Sequence, residues 1–218
     1  MTIPPPAGNQ TPEQPVAIQP GFEEAAQVFW DKNRRLILMV CAAALLVVIG
    51  REGWSYYAAE QEKGVQAEFA RAADRPEQLA TFAQAHSSHA LAGIAWLRIA
   101  DQRYAAADYR GALENYTKSV AGLKNPALLA RARLGVAMSQ LFSGDSAAAT
   151  TSLKAISADA ALSKSARAEA TYHLTSLAVE AGNQAEVERL VAEIGKIDPA
   201  GIWSQRATSL MARKPVGL

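Results

Sequence analysis

The sequence predicts an all-α protein, with one transmembrane helix followed by an α-solenoid of helix pairs. Three observations predict it. The run Leu36–Gly50 is apolar, free of charge and bracketed by basic residues. The stretch YYAAEQEKGVQAEFARAA behind it holds no proline and consists mostly of strong helix formers. From about residue 90, a helix–turn–helix unit recurs every 37 or 38 residues. The size suits this plan: 218 residues make one medium domain plus an anchor and a tail. A net charge of +1 argues against nucleic acid as the main partner, because phosphate binding needs a concentrated basic face. The single cysteine, Cys41, lies inside the apolar run and permits no internal disulfide.

Taken in order, residues 1–20 carry six of the ten prolines and almost no large apolar side chains. They are expected to be a disordered cytoplasmic tail. Residues 21–35 read as a juxtamembrane helix, with Glu23 and Glu24 in its first turn and Phe29 and Trp30 as an aromatic belt.

Residues 36–57 read as the span. Nine of the fifteen residues Leu36–Gly50 are Leu, Ile or Val. At about −0.3 to −0.6 kcal/mol each they favour the bilayer by roughly 4 kcal/mol. Arg51, Trp54, Tyr56 and Tyr57 supply the outer boundary, as Arg34 and Arg35 do the inner one. The whole segment is about 33 Å of helix, enough to cross. A cleaved signal peptide fits worse, since the leader is long and no small-x-small site follows. A lipoprotein anchor fits worse because the run continues beyond Cys41. A buried soluble helix would keep a polar stripe. Lys32, Arg34 and Arg35 place the N-terminus in the cytoplasm, and so the rest of the chain outside the inner membrane of a bacterial cell.

Residues 58–218 form the expected solenoid. The first helix stops at Asp74-Arg75-Pro76, and Pro76 opens a short helix with Leu79, Phe82 and Ala83 as its apolar face. Repeats follow at about 90–124, 127–161 and 165–199, then a final helix at 201–214. Their turns are Ala107-Asp108-Tyr109, Gly144-Asp145-Ser146 and Gly182-Asn183-Gln184. Each offers a C-cap residue and then an N-cap acceptor. Small residues recur at the crossings: Ala100, Ala137 and Thr175, then Ala112, Ala149 and Val187. Larger ones follow: Tyr116, Leu153 and Val191, then Ser119, Ile156 and Ile194. Such a face stacks on the next repeat.

These residues resemble the tetratricopeptide repeat. Trp96, Ala100, Ala112 and Tyr116 fall on its signature places, and Pro199 on its closing proline. Arg103, Gln140 and Ala178 replace its late tyrosine, and the spacing exceeds the usual 34 residues. The order FW-DKNRR, one span, IGREGWSYY and then such repeats resembles the ancillary subunit family of the SecYEG translocon. That resemblance implies a single-pass inner-membrane protein whose periplasmic domain binds translocon subunits and periplasmic chaperones.

Stacked helix pairs line their concave side with first helices. The expected rows are Leu97, Leu134 and Tyr172; Asp101, Met138 and Ser176; and Tyr104, Leu141 and Val179. Two readings stay open. They form an apolar groove for an unfolded or helical segment, or they are core, partly covered by Ile202, Trp203, Leu210 and Met211 of the final helix. Ile94 and Glu169 stand where a carboxylate clamp needs basic or amide groups, which disfavours an acidic tail as ligand. His86 and His89 have the spacing of some metal ligands but sit in a turn, and read as solvated loop histidines. His173 stands alone. No Gly-rich phosphate loop, HExxH or GxSxG occurs, so no catalytic residue, cofactor, metal or small-molecule substrate is expected. The function expected is a membrane-anchored scaffold that assists secreted or membrane proteins, with translocon subunits, chaperones or client chains as partners. The alternative is a self-associating structural scaffold of another envelope, division or secretion machine.

Overall fold

The computed structural model describes residues 21–212, which hold nine α-helices and no strand. The proline-rich segment 1–20 and the end of the expected 201–214 helix lie outside the described residues. The fold class is therefore all-α, with a long apolar first helix and a repeat-like helical domain. The helices are α1 (Phe22–Ala72), α2 (Pro76–Ala85), α3 (Ala90–Ala105), α4 (Tyr109–Gly122), α5 (Pro126–Phe142), α6 (Ser146–Ala158), α7 (Lys164–Glu180), α8 (Gln184–Ile197) and α9 (Ile202–Ala212). The chain divides into two compact units, one ending at Gln61 and one beginning at Glu62.

The first unit is the greater part of α1. No proline interrupts this helix, and Glu23 and Glu24 meet its positive end. Its apolar stretch is long enough to cross a membrane, and none of it is buried in protein. Leu36, Leu45, Leu46, Val47 and Ile49 all face outward. Left in water, such a surface would cost about 25 cal/mol per Å², which a lipid environment removes.

In the second unit, the last turns of α1 pair with α2. Val65, Phe69 and Ala72 pack with Leu79, Phe82 and Ala83, and on to Ala92, Ala95 and Ile99 of α3. The rings of Phe69 and Phe82 meet edge to face at 5.4 Å. Arg75 is extended, as a residue before proline must be, and this lets α2 fold back.

The three following pairs share one turn geometry. The amide of Asp108 donates to Arg103 O, that of Asp145 to Gln140 O, and that of Asn183 to Ala178 O, at 2.9 Å each. The residue before each is left-handed: Ala107 (φ 59°), Gly144 (φ 95°) and Gly182 (φ 68°). This closes the first helix in a Schellman motif. The same side chains then open the second helix, accepting from the amides of Gly111 (3.0 Å), Ala148 (3.0 Å) and Glu186 (3.2 Å). Alanine at the first turn carries a steric cost of order 1 kcal/mol that glycine avoids at the others.

Small residues then set the crossings. Ala100, Ala137 and Thr175 are buried, as are Ala112, Ala149 and Val187. Gly93 and Gly122 bring α3 and α4 close enough that the Ser119 hydroxyl donates to Gly93 O at 2.9 Å. Tyr116, Leu153, Ile156 and Ile194 fill the layers between pairs. The third pair departs from the pattern expected: Leu190 is buried, while Val191 is only partly so. Leu190 and Ile194, one turn apart, define the inner stripe of α8, and Val191 flanks it.

Helix α9 closes the array. Ala207 is buried against Ala168 and Ile194, with Trp203 packed alongside. Ile202 and Met211, expected on the covering face, are instead exposed. The spacing Trp203, Ala207, Leu210 fixes the inward stripe, and Ile202 and Met211 fall to either side of it.

Candidate protein-binding face

The candidate face is carried by α3, α5 and α7, and its nine expected residues meet different fates. Leu97 is 4% exposed and belongs to the core with Ala100, Ala112 and Tyr116, so it is not groove surface. Leu134 is partly buried against the central core. Tyr172 is covered: its ring lies 5.2 Å from that of Trp203 in α9. The Ser176 hydroxyl turns back to Tyr172 O, at 3.2 Å. Met138 and Leu141 are half-buried, and Val179 is exposed. The face is thus core at one edge, capped at the other, and open along Met138, Leu141 and Val179.

Asp101 is not a free acid. One carboxylate oxygen accepts from the Tyr116 hydroxyl at 2.7 Å, and the other from Arg131 at 2.8 Å. The arginine comes from α5, so the pair ties the first repeat to the second. Burial first, and then this bond to Asp101, push the Tyr116 hydroxyl pKa far up, so it stays a donor. Arg131 stands in the second repeat where Ile94 and Glu169 stand in the first and third. Its role escapes a reading of the sequence, because its partner lies 30 residues away on another helix.

Tyr104 opens an aromatic cluster at the turn end of the face. Its ring lies 5.4 Å from Tyr109, 6.1 Å from Phe142 and 6.4 Å from Tyr116. Tyr109 and Phe142 stack at 5.1 Å, and Phe142 is 52% exposed. Tyr109 and Phe142 extend the predicted set. The signal for Phe142 is weak: it is the last residue of α5, where its repeat equivalents are Ala105 and Glu180. A large exposed apolar ring next to Leu141 is a surface that gains by being covered.

The histidines in the HSSH turn are not merely solvated. His86 pairs with Glu68 at 3.0 Å and His89 with Glu62 at 2.9 Å. The other ring nitrogen of His89 accepts from the Leu91 amide and so caps α3. The His89 bond holds the Glu62 carboxyl below its usual range. These are separate pairs, and no group of three or more metal-ligating side chains occurs among the described residues.

A family model of the tetratricopeptide repeat-like domain matches residues 27–163. The chain belongs to the tetratricopeptide repeat-like family. No curated protein matches it. The match takes in most of α1 and ends at Ser163, so α7 to α9 of the repeat-like domain lie beyond it. Domains of this family are protein–protein interaction scaffolds, and the open part of this one's first-helix face is apolar and aromatic.

Proposed function

We propose that the chain is a single-pass inner-membrane scaffold whose repeat-like domain works in the periplasm beside a SecYEG-type translocon. There it takes secreted or membrane chains, or the chaperones that carry them, on its first-helix face. The observation that carries this reading is the strip of half-buried Tyr104, Tyr109, Met138 and Leu141 edged by exposed Phe142 and Val179. Aromatic rings supply contact area at low entropic cost, and methionine adapts to varied partners. The apolar helix and the motif order FW-DKNRR, span, IGREGWSYY support the membrane and translocon parts.

A photo-crosslinking residue at Phe142 in native membranes tests the proposal. Adducts with translocon subunits, chaperones or nascent secreted chains are expected. Adducts only between copies of this chain would replace it with the self-associating scaffold, and adducts only with unrelated envelope proteins would sink it.

A further inference from the structure

Glu169 is the inner-row charge that forms no side-chain hydrogen bond or ion pair among the described residues. It occupies in the third repeat the place of Ile94 and Arg131. Ile94 packs on the core, and Arg131 is held by Asp101. Glu169 has neither arrangement. The nearby cation, Arg206, lies over the Trp203 ring at 4.6 Å and forms no ion pair with it. His173, one turn on, has its pKa lowered by burial and does not supply a charge at neutral pH. Burial raises the Glu169 pKa, and the Coulombic pull of Arg206 offsets only part of that rise.

The carboxylate borders a depression of about 290 Å³ between α5 and α7, walled also by Ala130, Arg131, Leu134 and Ala166. That volume has room for one long side chain. Arg131 on the same wall is held by Asp101, which leaves the Glu169 carboxylate without an ion pair in the depression. Leu134 and Met138 continue the same helix face beyond it.

We infer that Glu169 anchors the partner, and that the partner it fits is an extended apolar segment carrying one lysine or arginine side chain. The inference rests on the protein-binding reading of this face. A cation brought to a partly desolvated, unpaired carboxylate gains more than it would at a solvated one, and the apolar flanks cover Leu134 and Met138. The preference fades as pH falls through the Glu169 pKa, because protonation removes the charge that selects the cation.

The test uses the full chain in lipid nanodiscs and short labelled peptides of leucine and serine with a central lysine, norleucine or glutamate. Binding is read by fluorescence anisotropy. The lysine peptide is expected to bind about tenfold tighter than the norleucine peptide, the scale of one partly desolvated ion pair. Glu169→Gln should erase that gap without weakening the norleucine peptide, and Glu169→Lys should turn the preference to the glutamate peptide. Thermal unfolding of Glu169→Gln should show no loss of stability, since the charge it removes is a disfavoured one. Equal binding of lysine and norleucine peptides, or a gap that survives Glu169→Gln, overturns the inference. If all peptides bind alike and Met138→Ser/Leu141→Ser abolishes binding, the protein-binding reading stands and only the inference falls. If no peptide binds, both fall.

Discussion

Gly93 shows how one residue sets a crossing. A Cβ there would meet the Gly122 carbonyl carbon at 2.8 Å and the Leu123 nitrogen at 3.0 Å. Both are backbone atoms, so no rotamer change makes room. Alanine is the better helix former, yet Gly93→Ala is expected to destabilise the domain by about 1–3 kcal/mol. Chemical unfolding measures this, and an unchanged midpoint would mean that α3 and α4 can part without cost. The glycine's role is not legible in the sequence. Its neighbour stands 29 positions on, and nothing local distinguishes it from Gly195, which has open space around it. Arg131 hides for the same reason. An arginine on a helix face reads as solvated until Asp101 is found opposite.

At the scale of the element, the turns are legible because their chemistry is local. Asp108, Asp145 and Asn183 follow a left-handed residue and accept from an amide three residues on. All of that lies within six residues of chain. Replacing any one by alanine should cost about 1 kcal/mol. The three sites are far apart, so the triple variant should lose nearly the sum. Urea titration of the single and triple variants decides it; a triple variant as stable as one single would show that water satisfies these helix ends. The inner stripes were harder to read. The expected face of α9 joined Ile202 and Met211 to Trp203 and Leu210. Both outliers are apolar, but the angle set by Ala207 leaves them exposed. On α8, Val191 and Leu190 are adjacent apolar residues, and only packing chooses between them. On the candidate face, Tyr104 was legible from repeat phase, whereas its edge-to-face contact with Phe142 depends on two turns meeting in space.

For the whole molecule, the plan of an apolar helix followed by stacked pairs follows from one charge-free apolar run and one repeat of about 37 residues, and both are read directly from the chain. The candidate face is less legible, because whether a row is surface or core depends on the helices beside it. Leu97 and Tyr172 were hidden by different neighbours. Orientation is a separate matter, and the proposed one rests on Lys32, Arg34 and Arg35. A reporter fused after Leu218 that is active only outside the inner membrane should be active. With those three residues changed to glutamine, a mixed population should appear. A cytoplasmic signal from the unaltered fusion would remove the periplasmic assignment and the partners proposed with it.

Every helix pair here is a template for another, since each is completed by what stacks on it. Helix α9 is the last of that series among the described residues. By setting Trp203 and Ala207 on Ala168, Tyr172 and Ile194, it occupies the place a further pair, or a second molecule's first pair, would take. The short last helix of the described residues therefore takes an apolar face out of contact with water, as a capping repeat does.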